Sequence, residues 1–361
     1  MTNTEKSSQS YGVIVDMHLD IAYNAVTLER NLLQPLDNLR RYEQATSPDI
    51  PTGTGLVSFP ELFKGHIAIV GASLFVAPAY RALPQDKQIY HTEEEAHTFA
   101  VAQLDYYRRL AESNTQINII QTAADLETAL ASWDTPQPQI GLFLVMEGAD
   151  PIREPGELGW WVERGLRGVG LTWSMGTRYA GGCNVPGGVT DLGRDLLYRM
   201  ADYNLLLDIS HLWTEAVYEV LDLYPGPVVA THITPRAFVD SPRALSDDLI
   251  RRIADREGVI GIMPYNPALK AGWRAGDERL PLTRVIEAID HVCQITGNAA
   301  CVGVGSDFDG GYGLESIPEP LNSIADLSLI GDALREQGYV DANIQAILRE
   351  NWLRILREVL G

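Results

Sequence analysis

Eight short apolar runs punctuate the chain, each bounded by polar or small residues. They are Gly12–Asp20, Ile67–Val76, Ile140–Gly148, Gly168–Ser174, Leu205–His211, Pro227–His232, Gly258–Pro264 and Cys301–Asp307. Apolar and polar positions do not alternate within them, as they would on a sheet with one wet face. Short continuous runs of this kind mark parallel strands covered on both sides. Between the runs the period lengthens to that of a helix. Glu93–Asn114 places Ala96, Phe99, Ala100, Leu104 and Tyr107 on one stripe. Asp191–Asn204, Trp213–Leu223, Ser246–Glu257 and Leu282–Gly297 are further helices, and Ser323–Gln337 and Asp341–Leu360 close the chain. Ser246 suits an N-cap, with Asp247 and Asp248 where the helix dipole favours acids.

Strand and helix alternate eight times, with no Pro/Ser/Gly-rich linker and no GxGxxG after the first strand. That order predicts an α/β fold closed as a (β/α)8 TIM barrel rather than an open doubly wound sheet. One domain is expected over residues 12–361, after a disordered tail at residues 1–11. Two segments stand outside the alternation. Residues 22–65, with a helical patch at Leu36–Ala45, are expected to cover the barrel mouth. The glycine-rich stretch Tyr179–Gly188 is either a mobile active-site loop or a plain connector.

Composition narrows the partners. The 48 acids exceed the 28 bases, a formal charge of -20. That balance argues against binding nucleic acid or an anionic membrane, both of which call for a basic surface. Cys183, Cys293 and Cys301 are spaced neither as a thiolate metal site nor as a disulfide framework. The first residues carry no apolar signal core, and no run approaches the roughly 18 residues of a membrane helix. The cytoplasm is therefore the expected compartment.

The strand ends carry the chemistry. Catalysis in such barrels gathers at the C-terminal ends of the strands. Here those ends hold His18 and Asp20, Glu147, His211, His232 and Asp307. Residues two apart on a strand point the same way, so His18 and Asp20 are expected to share the inward face. Buried carboxylates are costly unless paired or bound to a cation, and one metal centre accounts for all of these groups. Imidazole and carboxylate without thiolate suit Zn²⁺, with Mn²⁺, Co²⁺ or Fe²⁺ as alternatives. Five ligands exceed the needs of one tetrahedral ion, so Glu147 is a candidate bridge between two. Asp307 is then a candidate base, with Asp309 in support.

Several motifs resemble one known family. They are the HLD of residues 18–20, MEG of 146–148, DISH of 208–211, THITPRA of 231–237, GSDFDGG of 305–311 and ENWLRILRE of 350–358. Their order and spacing are similar to those of the membrane (renal) dipeptidases, peptidase family M19 of the metal-dependent amidohydrolase superfamily. The likeness runs from about Gly12 to Gly361. It implies a dipeptidase with two Zn²⁺ ions. His18 and Asp20 would hold one, His211 and His232 the other, and Glu147 would bridge them. A bridging hydroxide would attack the peptide carbonyl, with Asp307 as catalytic aspartate shuttling the proton. Arg243 matches the family's arginine for the substrate carboxylate, and Tyr265 and Asn266 its YN. Some members form dimers, so a homodimer is a further expectation.

One position departs from the pattern. Trp173 stands where the family has a histidine that helps bind substrate, and Arg178 is a candidate to replace it. The implied substrate is a dipeptide or an N-acyl amino acid. The alternatives are another amide or a lactone, or a metal-binding barrel with weakened catalysis.

Overall fold

The structure, a computed structural model, describes residues 11–46, 52–79 and 88–361. A strand overlaps each of the eight apolar runs. These are β1 (Ile14–Leu19), β2 (Ile67–Phe75), β3 (Ile140–Glu147) and β4 (Leu166–Gly170). They continue as β5 (Leu206–Asp208), β6 (Val228–Ile233), β7 (Ile260–Ile262) and β8 (Val302–Val304). Each pairs in parallel with the next in chain order, and β8 pairs back to β1. The result is a closed (β/α)8 barrel. Every residue of β1, β2 and β3 is buried, which is why their sequences do not alternate.

Local signals set the helices. Helix Glu93–Ser113 begins at Thr92, whose hydroxyl accepts from the Glu95 amide, and buries Ala96, Ala100, Leu104 and Tyr107. Helix Asp247–Asp255 starts at the expected Ser246 cap, with both acids in its first turn. The last helix, Asn351–Leu360, seats Trp352 against the barrel, its indole N–H donating to the Val304 carbonyl at 2.9 Å.

Four details differ from the sequence expectation. A ninth strand, Ile117–Ile119, joins the sheet along residues 140–142 of β3, below the point where β4 begins pairing at Leu144. Its three residues are too few to show a period. The stretch around Tyr179–Gly188 is an antiparallel hairpin, Ala180–Gly182 with Val185–Val189. Its Cys183 amide donates to the His211 carbonyl at 2.8 Å, so it braces a site residue. The expected tail at residues 1–11 lies outside the described residues except for Tyr11, which is buried and donates to Asp332 at 2.7 Å.

The 22–65 insertion, finally, packs beside the mouth more than over it. Its helix Leu36–Thr46 forms as expected. Buried Arg30 bonds Glu43 at 2.6 Å and Asn24 at 2.8 Å, and lies 3.4 Å from Asp309. The Leu56 and Val57 amides each donate to the Asp309 carboxylate at 2.9 Å. Asp309 thus anchors the insertion to the loop after β8, and of the insertion's described residues only Tyr23 lines the cavity.

Candidate metal centre and its cavity

The strands end early, so His18, Glu147 and His232 lie on them while Asp20, His211 and Asp307 stand just beyond. β1 stops at Leu19, so Asp20 is the first residue of the following turn, capping helix Ile21–Val26. His211 and Asp307 each lie three residues past their strands. Asp307 adopts a left-handed φ of 54°, a conformation few non-glycine residues take without local support. That support includes its amide, which donates to the His18 carbonyl at 3.1 Å.

The side chains nonetheless converge. His18 Nε2 lies 3.5 Å from Glu147 Oε2, 3.8 Å from Asp20 Oδ1 and 3.9 Å from Asp307 Oδ1. The other Glu147 oxygen approaches the remaining two histidines. Oε1 is 2.8 Å from His211 Nε2 and 3.7 Å from His232 Nε2. The two histidine Nε2 atoms are 2.9 Å apart. Within this group, His18, Glu147 and His232 form one set able to hold an ion, and His18, Asp20 and Asp307 another.

A second layer holds these ligands, and sequence reasoning missed it. Thr231 Oγ1 sits 2.9 Å from His232 Nδ1 and 3.3 Å from His18 Nδ1, and donates to Asp208. Asp208 also accepts from the Ser210 amide at 3.0 Å and hydroxyl at 2.6 Å. Ser174 Oγ meets His211 Nδ1 at 2.9 Å. Asp16 accepts from the Ser306 amide at 2.8 Å and from its hydroxyl, tying β1 to the loop of Asp307. Such outer partners fix ring orientation and ligand basicity. The signal was present in the strings DMHLD and DISH, where an acid precedes each histidine by two or three residues.

The electrostatics fit a cation. Burial alone would raise Glu147, but the His18 and His211 imidazoles hold it well below the usual carboxylate range. Burial would depress His18, yet the charges of Glu147, Asp20 and Asp307 outweigh it and push the ring up to about 10. Burial, then Glu147, raises Asp20 to about 6. Burial, reinforced by Asp20 and Glu147, sends Asp307 well above its ordinary value. Burial and Arg243 lower His211 to about 4, and burial and His18 push His232 well below the ordinary range. His18 Nε2 is buried without a hydrogen-bond partner. Divalent ions would accept every Nε2 lone pair and neutralise the carboxylates, removing these conflicts.

A cavity of about 360 Å³ opens above the cluster. Asp20, Glu147, His211 and Asp307 form its floor, while His18 and His232 lie beneath. Arg243 is the one guanidinium or ammonium among the described residues that line it. Its head donates to the Ser210 carbonyl and, at 2.8 Å, to that of His232. Tyr265 stacks on Tyr312 with ring centres 4.2 Å apart. Trp173 lines the wall, 5.2 Å from Phe75 and 6.2 Å from His211 between ring centres. Two expected groups stand elsewhere. Asn266 does not line the cavity and donates to the Ile317 carbonyl at 3.2 Å. Arg178 turns away, its guanidinium donating to the Ile152 carbonyl at 2.9 Å, so it does not take the place of the missing histidine.

Comparisons with known proteins identify the family. The family model described as membrane dipeptidase (peptidase family M19) matches residues 5–360. An uncharacterised protein from the pqqA 5′ region of Klebsiella pneumoniae is 30% identical over 69% of this chain and 92% of its own length. Mouse dipeptidase 3 is 22% identical over 96% of this chain but only 64% of its own. Among solved structures, the M19 metallopeptidase dipeptidase AC superposes with a TM-score of 0.79 at 25% identity, covering 97% of this chain and 99% of that one. A Rhodobacter sphaeroides metallopeptidase carrying a phosphinate mimic of L-Ala-D-Ala has the same fold, with a TM-score of 0.79 at 24% identity over 96% and 99% of the two chains.

Proposed function

The chain belongs to the membrane dipeptidase family, peptidase family M19, and on that premise we propose that it hydrolyses dipeptides with two Zn²⁺ ions. The observation that carries this reading is the two-sided Glu147 carboxylate. One oxygen faces His18 and the other faces His211 and His232, as a bridging ligand would. His18 and Asp20 would hold one ion and His211 and His232 the other. Bound Zn²⁺ would supply Lewis acidity at the scissile carbonyl and a water acidic enough to attack at neutral pH.

The chain's own groups do the rest. Arg243 takes the substrate's carboxylate, for which a guanidinium is suited because it can donate two parallel bonds. Its own bonds to two backbone carbonyls fix it beside the cluster. Asp307 accepts the proton of the attacking water and passes it to the leaving amine. The aromatic walls exclude bulk water and so strengthen each charge–charge contact.

A second reading keeps the hydrolase and changes the substrate to an N-acyl amino acid, another amide or a lactone. Trp173 favours it, because indole donates one hydrogen bond and carries no charge. One experiment addresses both readings. Exhaustive chelation is expected to abolish hydrolysis of a dipeptide panel, and Zn²⁺ to restore it. Dipeptidase activity that survives chelation overturns the metal mechanism. Turnover of lactones or N-acyl amino acids with inert dipeptides selects the second reading.

A further inference from the structure

We propose that Tyr23, Phe75 and Trp173 form a subsite for a large apolar or aromatic side chain on the amino side of the scissile bond. The proposal rests on the dipeptidase reading for which end of the substrate lies where, and the geometry supplies the rest.

The three rings are continuous. Tyr23 and Phe75 meet edge-on with centres 5.3 Å apart, and Phe75 and Trp173 are 5.2 Å apart. All three line the cavity. With Ala77 they form a small apolar cluster separate from the two larger cores. Phe75 and Glu147 are paired across β2 and β3, so the wall begins beside the bridging carboxylate.

Strand order places the wall. The rings arise from the ends of β1, β2 and β4. Arg243 follows β6 and leans on the carbonyls of Ser210 and His232, after β5 and on β6. In a closed ring of eight consecutive strands, β1 and β2 lie opposite β5 and β6. A dipeptide whose carboxylate is held at Arg243 therefore crosses the cluster and directs its amino-side residue towards Tyr23 and Phe75, while Trp173, after β4 and 6.2 Å from His211, closes the flank of the same pocket. A wall with a histidine at position 173 would be polar there, and tryptophan makes it apolar. Burying a benzyl group against such a surface favours it over hydrogen by about 10–100-fold.

The test has a turnover arm and a binding arm, both on the zinc-loaded protein. Dipeptides X-Gly, with X as Gly, Ala, Leu and Phe, are compared by kcat/KM. Phosphinate dipeptide mimics with hydrogen, methyl or benzyl at the amino-side position are compared by calorimetric Kd. The expected result is a Phe-over-Gly ratio of about 10–100-fold in both arms. In Trp173→Ala that ratio should collapse to within about threefold, the variant's fold being checked by thermal unfolding. Equal handling of Phe and Gly by the wild type overturns the subsite, as does an undiminished ratio in Trp173→Ala. If the mimics keep their order while no dipeptide is cleaved, the subsite stands and the dipeptidase reading falls. If the mimics show no order, the subsite falls whatever the turnover.

Discussion

The two halves of the cavity are built differently. On the β5–β8 side, beside the Tyr265–Tyr312 stack, three polar groups are each pinned by hydrogen bonds. Arg243 is fixed to two carbonyls, His211 to Ser174, and Asp307 to the His18 carbonyl. On the β1–β4 side, above the metal floor, the lining groups are aromatic and held largely by packing against one another. Directional bonds specify a position to tenths of an ångström, as bond-making chemistry demands. Packing specifies only a volume. On the proposed function, the first kind of wall would align the substrate and the second would select its side chain.

Substitutions can break that contrast, and their effects should descend in order. Asp307→Asn keeps the shape and removes the base, so kcat should fall about 10²–10⁴-fold with metal content unchanged. Near-normal turnover would remove Asp307 from the mechanism. Arg243→Met deletes a charged partner for the carboxylate and should raise KM about 10–100-fold, and a dipeptide amide should be less affected. Thr231→Val deletes the hydroxyl beneath two ligand rings and should weaken zinc about 10–100-fold, read by competition with a chelator. Phe75→Leu, on the packed side, keeps an apolar wall and should change kcat/KM for Gly-Gly by less than about tenfold, because Gly-Gly places no side chain against it. If Phe75→Leu proved as damaging as Arg243→Met, the division of labour between the halves would fail.

The barrel and the residues that converge at its mouth were largely legible in the sequence because both are written locally. Apolar runs of six to ten residues and helical stripes identify the β/α units, and charged residues at the ends of apolar runs betray themselves. Residues whose roles depend on distant partners did not show. Asp16 and Asp208 look like ordinary acids until the barrel closes and brings Ser306 and Thr231 to them. Asp309 looked like an auxiliary to the chemistry and is instead the anchor of the insertion through Leu56 and Val57. Asn266 follows Tyr265 in the chain but turns to the Ile317 carbonyl, because the short helix Asn266–Leu269 begins there and buries it.

The Thr231 hydroxyl has one proton and two lone pairs. Its proton goes to Asp208, so both imidazoles that approach Oγ1 meet only lone pairs. With metal bound, His18 and His232 would therefore each carry hydrogen on Nδ1 and present a bare Nε2 to the centre. One hydroxyl thus selects the tautomer of two rings, from β1 and β6, whose residues are 214 positions apart in the chain (232 − 18). Serine at this position would preserve that proton count, and valine would leave each ring to choose for itself.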